Sequence, residues 1–313
     1  MTATIEPERI LREMNQLWDQ TGADTGGAGV LRACTMTLIV VAENDEDAAL
    51  ARRTIGSIMH DHPSRALVVK TQDGEDMSAR VFSECWMPFG GQQQICSEGV
   101  ELTSGPRHFA EVARALVPLR APDLPTVVWC RGPGAFTLRA FDELFPLADK
   151  IILDSSTISG ASAALAFIRS LRLRGYRIAD LEWTRLTGWR EVLSQVFDDQ
   201  SMQAPNSITS IRIAHGGQTP PICAIYFGSW LGRALPSAHV RFDTAEGDPG
   251  LRSVTLSSRE GDLSLSVSSG GCLAVTGLGR QYRTALPPRD EAALMREELK
   301  ILGSDSVYER VLG

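Results

Sequence analysis

The sequence predicts an α/β protein: an N-terminal doubly wound, mostly parallel sheet with an antiparallel edge, plus a smaller C-terminal α+β domain with an antiparallel sheet. Three observations predict it. Short apolar runs alternate with helical patterns through the first part of the chain, and one stretch, Met77 to Thr103, offers two strands with no helix between them. Beyond the polar run Asp198 to Ser207, which reads as a linker, the pattern changes to strict two-residue alternation. The expected domains are residues 1–200 and 201–313.

Pro7 to Gln20 sets Ile10, Leu11, Met14, Leu17 and Trp18 at helical spacing, so an amphipathic helix is expected, followed by a glycine-rich loop over Thr21 to Gly29. Thr35 to Ala42 is an apolar run of the kind that forms a strand covered on both faces. Asn44 or Asp45 can cap the next helix, which extends to about His60 and carries Glu46 and Asp47 where the helix dipole favours negative charge. Arg65 to Lys70 is again strand-like, which makes a strand, helix and strand joined by a right-handed parallel crossover. SARVFSECW and ICSEGVELT, joined through MPFGGQQ, form a hairpin or strand pair at one sheet edge.

The alternation resumes with a helix over Pro106 to Val117, a strand at Thr126 to Cys130, a short helix near Phe141 to Ala148 and a strand at Lys150 to Asp154. A helix over Ser162 to Leu173, a strand-like segment at Tyr176 to Trp183 and a helix capped by Thr187 follow. In the second domain Val254 and Leu256, then Leu263, Leu265 and Val267, alternate around a turn at Arg259 to Asp262. Helices over Pro287 to Leu302 and after Ser304 come last.

With 43% apolar and 22% charged residues, the 313-residue chain can bury a substantial core. A formal charge of −7 argues against nucleic acid or anionic lipid as the main partner. No stretch has the length and apolarity of a membrane span, and the first residues lack a secretory pattern, so a cytoplasmic protein without a membrane partner is expected. Six cysteines at 34, 85, 96, 130, 223 and 272 are too scattered for the framework of a small secreted domain. Reduced, mostly buried thiols are expected.

Motifs that carry chemistry are missing. There is no G-x-G-x-x-G turn for a dinucleotide and no phosphate-binding G-x-x-x-x-G-K-[ST], and no nucleophile elbow or zinc-protease helix occurs. His60 and His62 form the one tight histidine pair, and they sit where a helix ends, a position the helix dipole favours for histidine. No catalytic residue, metal or cofactor is expected. One candidate for an anion or small ligand remains: Asp154, Ser155, Ser156, Thr157 and Ser159, at the carboxyl end of a strand and just before a helix. Its plain alternative is a turn with a helix cap. As a functional class it would mean a sugar-phosphate- or nucleotide-binding enzyme with its site near Asp154.

A second candidate is a surface. Trp86, Met87, Pro88, Phe89 and Gly90 make an apolar knuckle on a turn, with Gln92, Gln93 and Gln94 offering amides beside it, a combination that suits a protein interface. Alternatively Trp86 and Phe89 pack inward. Trp129, Trp183 and Trp189 lie within strand and helix patterns and are expected in the core.

Three tryptophan-centred strings, CWMPFGGQQQIC (85–96), PDLPTVVWCR (122–131) and LEWTRLTGWR (181–190), occur in order with RACTMTLIVV before them and DSS between them. In order and spacing they resemble the OpcA family, the glucose-6-phosphate dehydrogenase assembly proteins. The end of the chain, LPPRDEAALMREELKILGSDSVYERVL, resembles that family's second domain. The resemblance implies a non-catalytic assembly factor or allosteric activator of glucose-6-phosphate dehydrogenase, its partner, supporting NADPH supply through the oxidative pentose phosphate pathway. It supplies no catalytic residue. The C-terminal cysteines that the cyanobacterial branch uses in redox control have no counterpart pair here, since only Cys223 and Cys272 lie in the last third.

Overall fold

The computed structural model describes all residues except 1–4, 25–29, 73, 75–76, 88–93, 135–141, 199–206 and 269. The chain forms two compact units. One comprises Met1–Asp154, Leu171–Ala179 and Glu291–Gly303, and the other Ser155–Ser170, Asp180–Asp290 and Ser304–Gly313. Where the sequence suggested one boundary at residue 200, the contacts divide the chain at several points. The glycine-rich loop expected over Thr21 to Gly29 is helical to Asp24, and 25–29 lie outside the described residues, as does most of the linker expected at Asp198 to Ser207.

The first unit opens with α1 (Pro7–Asp24) and β1 (Val30–Arg32). Then come β2 (Met36–Ala42), α2 (Asp45–Ile58), β3 (Ser64–Thr71), β4 (Ser78–Trp86), β5 (Gln94–Ser104), α3 (Phe109–Leu119), β6 (Thr126–Cys130), β7 (Lys150–Leu153) and β8 (Ile178–Asp180). The sheet runs β1-β5-β3-β2-β6-β7-β8, with β4 added on β5. β2 pairs in parallel with β3 and β6, β6 with β7, and β5 with β3 and β1. β4 pairs antiparallel with β5, so the expected antiparallel edge is present. Every residue of β2, β6 and β7 is buried, the mark of strands covered on both faces.

Local chemistry fixes the helices. Asn44 caps α2 by accepting the Asp47 N–H at 2.9 Å, and Ala48, Ala51, Thr54, Ile55 and Ile58 form its buried stripe. At the other terminus of the chain, Glu291–Gly303 returns to this unit, and its groups neutralise Lys150. That side chain is only 3% exposed and donates to Glu298 Oε1 at 2.7 Å and to the carbonyls of Glu298 and Ile301 at 3.0 and 2.6 Å. A buried ammonium needs such partners, because desolvation without them costs several kcal/mol.

A second buried charge organises the amino ends of the strands. Glu98 of β5 is 3% exposed and accepts from Trp18 Nε1 at 2.6 Å and from Arg65 Nε at 2.7 Å. Arg32 pairs with the same carboxylate, and its guanidinium lies over the Trp18 ring at 5.4 Å. Arg65 also donates through Nη1 to the carbonyls of Leu119 and Arg120, at 3.0 and 3.1 Å.

Two expectations need correction in this unit. The short helix near Phe141 to Ala148 is, among the described residues, a 3-10 turn at Phe145–Leu147. The thiols of Cys85 and Cys96 are joined in a disulfide. They are neighbours because the β4–β5 register sets the two residues opposite each other, bringing together positions 11 residues apart. Cys130 and Cys223 are free and buried, whereas Cys34 and Cys272 are free and half-buried.

The second unit contains α4 (Ala161–Leu173) up to Ser170, α5 (Leu181–Arg185), α6 (Thr187–Asp198), β9 (Ile208–Gly216) and α7 (Ile222–Ala234). β10 (His239–Ala245), β11 (Gly250–Ser258), β12 (Gly261–Ser268), β13 (Cys272–Gly277) and β14 (Arg280–Ala285) follow. After α8 (Glu291–Glu298), which belongs to the first unit, α9 (Ser306–Leu312) completes the set. The sheet order is β10-β9-β11-β12-β13-β14, antiparallel throughout except that β10 runs parallel to β9. Ile211, Ile213, Val254, Leu256, Leu263, Leu265, Leu273 and Val275 line its buried face, as the alternation requires. The strand-like segment at Tyr176 to Trp183 proves to be mixed: the strand stops at Asp180, whose carboxylate caps α5 by accepting the Glu182 N–H at 2.9 Å.

Candidate functional site

In a doubly wound sheet, ligands bind beyond the carboxyl ends of the strands where strand order reverses. Here that point lies between β2 and β6, which end side by side at Val41 and Cys130. The residues that follow are acidic: Glu43, Asp45, Glu46 and Asp47. Glu43 crosses to the β6 side, where its carboxylate accepts the Gly134 N–H. A Cβ added at Gly132, whose φ is +76°, would stand 2.6 Å from the Glu43 carboxyl carbon. One at Gly134 would stand 2.7 Å from Oε1, so a side chain there would push the Glu43 carboxylate aside. Thr71 donates to the Glu43 carbonyl, and the Glu43 N–H donates to Asp47 at 3.1 Å.

Arg131 locks the same end. Its Nη1 pairs with Asp47 and donates to the Asp47 carbonyl at 2.6 Å, while Nε and Nη2 hold Glu291 at 3.0 and 2.8 Å. Its guanidinium lies 5.2 Å over the Trp129 ring. A pyrophosphate at a switch point needs free backbone N–H groups and a helix N-terminus without competing anions. Here a carboxylate holds the Gly134 N–H, and three acids fill the first turn of α2. The residues present do not fit a dinucleotide. Sequence reasoning missed this arrangement, although the acidic run directly after the first core strand was its signal.

The knuckle stands at the end of the β4–β5 ladder. Trp86 pairs with Ile95 and is half-buried, Met87 is 56% exposed and Gln94 is half-buried. Pro88, Phe89, Gly90, Gln92 and Gln93 lie outside the described residues. The Cys85–Cys96 disulfide ties the ladder one pair below Trp86.

The residues near Asp154 are placed as follows. Asp154 follows β7 and is half-buried. In the second unit, Ser155–Thr157 form a 3-10 turn, with Ser155 buried and Ser156, Thr157 and Ser159 exposed. The Ser155 N–H donates to Asp180 Oδ1 at 3.0 Å, and Arg185 Nη1 donates to Ser156 Oγ at 3.4 Å. Gly160, at φ +87°, then leads into α4.

Asp180 is fully buried, and its other oxygen accepts from the hydroxyls of Tyr226 at 2.7 Å and Tyr308 at 3.3 Å. Trp183 stacks on Tyr308 with centroids 5.6 Å apart, donates to Asp305 at 2.9 Å and carries Arg190 on its face at 3.7 Å. Burial pushes the Asp180 carboxyl up to about 6 against the pull of its hydrogen-bond donors, and burial also holds both tyrosines above the usual phenol range. Every oxygen of Asp180 is engaged within the unit. The cluster has the character of a structural joint.

Comparison with known proteins bears on both units. Residues 56–170 match the model described as the glucose-6-phosphate dehydrogenase subunit N-terminal domain, and residues 176–312 match the corresponding C-terminal domain. A Nostoc punctiforme protein named as an OxPP cycle protein, OpcA, is 22% identical over 300 residues, covering 80% of this chain and 64% of its own length. A Synechocystis protein of the same name is 25% identical over 195 residues, covering 61% of this chain and 41% of its own. The chain thus spans less than two thirds of these relatives. A 3-ketoreductase from Actinomadura kijaniata, solved with TDP-benzene and NADP, shares the fold at a TM-score of 0.50 with 10% identity, over 91% of this chain and 94% of the other. Its likeness speaks for the α/β architecture alone. With both domain models matched in order over most of its length, the chain belongs to the OpcA family, whose domains are described as those of a glucose-6-phosphate dehydrogenase subunit.

Proposed function

We propose that this protein is a non-catalytic partner of glucose-6-phosphate dehydrogenase, an assembly factor or allosteric activator that supports NADPH supply in the oxidative pentose phosphate pathway. The observation that carries the non-catalytic part is the acidic closure of the carboxyl end of the sheet, where Glu43 occupies the Gly132–Gly134 turn. The partner is inferred from family membership. The contact surface we assign is the β4–β5 tip, Trp86 to Gln94, because Met87 presents an apolar side chain to solvent on a disulfide-tied ladder. None of the helices among the described residues is long and apolar enough to cross a membrane.

The test mixes the purified chain with the dehydrogenase of the same organism and follows both the mass of the species in solution and the kinetics with glucose 6-phosphate and NADP. A larger species or altered kinetics is expected, with no turnover by the chain alone. Unchanged mass and kinetics over a wide concentration range would overturn the partner assignment. Turnover by chain free of dehydrogenase would overturn the non-catalytic one. Met87→Asp should weaken association without loss of folding, since Met87 is exposed.

A further inference from the structure

The first unit has a pocket of about 550 Å³ at the amino ends of its parallel strands, opposite the end that Glu43 closes. This volume lies within the range of small-molecule sites. Leu11 and Met14 of α1 and Val117, Pro118 and Leu124 form apolar walls, and Arg32, Arg65 and Arg120 reach the same space. The charges do not balance. Against three guanidiniums stand one buried carboxylate, Glu98, shared by Arg32 and Arg65, and the exposed Asp123 at the rim.

Arg120 is the clearest sign. Its Nε is buried with no hydrogen-bond partner, and its Nη1 reaches only the Leu147 carbonyl, at 3.4 Å. Among the described residues no carboxylate pairs with it. A buried charged donor left unmatched is destabilising, and in folded proteins such groups meet a protein atom, a water or a bound molecule. Arg65, in contrast, is fully engaged by Glu98 and two carbonyls, which makes it a rigid wall of positive charge.

We infer that this pocket binds a small organic anion: a carboxylate or phosphate directed at Arg120 and Arg32, carried on an apolar body that lies against Leu11, Met14 and Val117. Guanidinium matches both head groups through paired N–H donors, and apolar walls with a few convergent polar groups set the orientation. The inference does not depend on the partner assignment, since it rests on the pocket alone.

The test uses the full chain with four probes: phenyl phosphate, benzoate, inorganic phosphate and phenol, titrated by calorimetry and by thermal unfolding. Phenyl phosphate or benzoate should bind and raise the melting temperature, more strongly than inorganic phosphate, and phenol should do neither. The stronger of the two aryl anions identifies the head group. Arg120→Met should weaken binding at least fivefold. Val117→Glu, at a position 47% exposed, keeps the Glu98 clamp intact and should weaken binding by adding negative charge at the wall. Arg114→Met, on an exposed position of α3 outside the pocket, should leave it unchanged. Absence of binding by both aryl anions, equal binding of phenol, or full affinity in both folded pocket variants would overturn the inference. Inorganic phosphate binding as tightly as phenyl phosphate would remove the apolar walls from it.

Discussion

Each unit holds a deeply buried carboxylate, Glu98 in the first and Asp180 in the second, and the two are stabilised in opposite ways. Glu98 in the first unit faces cations: Arg65 and Arg32, with the Trp18 indole N–H completing its set. Asp180 in the second faces neutral donors, two tyrosine hydroxyls and two backbone N–H groups. Guanidiniums offset desolvation by direct charge attraction, whereas dipoles offset only part of it, which is why burial lifts Asp180 to about 6. The difference teaches where an unspent functional group can remain. Two arginines for one acid leave positive charge available beside an open pocket; the tyrosine cluster turns its hydroxyls onto Asp180.

The sharpest way to break this comparison is to remove each acid. Glu98→Ala strands Arg65 without its counter-charge in a nearly dry site, and should lower stability by about 3–5 kcal/mol in denaturant unfolding. A loss under 1 kcal/mol would show that the clamp is not what holds the amino ends together.

Asp180 should reveal itself through pH. A carboxyl that titrates near 6 when folded and near the ordinary 3.8 when unfolded holds its proton more tightly in the native state. Its contribution is therefore fully present below about pH 4, is lost as pH rises to about 6, and is absent above, a change on the order of 3 kcal/mol. Asp180→Asn keeps one acceptor oxygen and removes the titration. The difference in stability between wild type and variant should change across that window and stay flat from pH 7 to 8. The same difference at pH 4 and pH 7 would contradict the assignment.

Tyr226→Phe deletes the 2.7 Å donor and leaves the more distant Tyr308. It should cost about 1.5–3 kcal/mol at pH 8, where the acid is charged, and less at pH 5, where it is largely neutral. Equal losses at both pH values would mean that packing against Trp183, not the hydrogen bond, is what the tyrosine supplies. The smallest effect is expected from the thiols. Burial pushes Cys130 in the first unit and Cys223 in the second up to about 12, so both should resist alkylation at pH 8 while Cys34 and Cys272 react. Rapid modification of Cys130 or Cys223 would show that one unit opens more readily than its packing implies.

How much of this was legible in the sequence depended on period and on distance. The strands β2, β3, β6 and β7 announced themselves as apolar runs, and the cap of α2, open between Asn44 and Asp45 in the sequence, is Asn44. α7 escaped notice because ICAIYFGSWLGRA is apolar on nearly every side, so no amphipathic period marks it. The disulfide escaped although the register was legible. The strands SARVFSECW and ICSEGVELT already set Trp86 against Ile95 and so Cys85 against Cys96, as observed, but six cysteines scattered over a long chain read as reduced thiols. The meeting of Glu43 with Gly134 spans 91 positions and could be read only once β2 was known to lie beside β6.

The return of Glu291–Gly303 to the first unit has a consequence for the order of events during translation. A ribosome makes nearly all of the chain before it makes this segment, so the parallel sheet must wait with Lys150 lacking its three oxygens and Arg131 lacking Glu291. During that interval the sheet carries an ammonium without its native oxygens, and a partly built unit of this kind is open to wrong contacts. The nascent first unit is thus a half-built room whose last panel arrives only after most of the second unit has been made, while the second unit in turn waits for Ser304–Gly313.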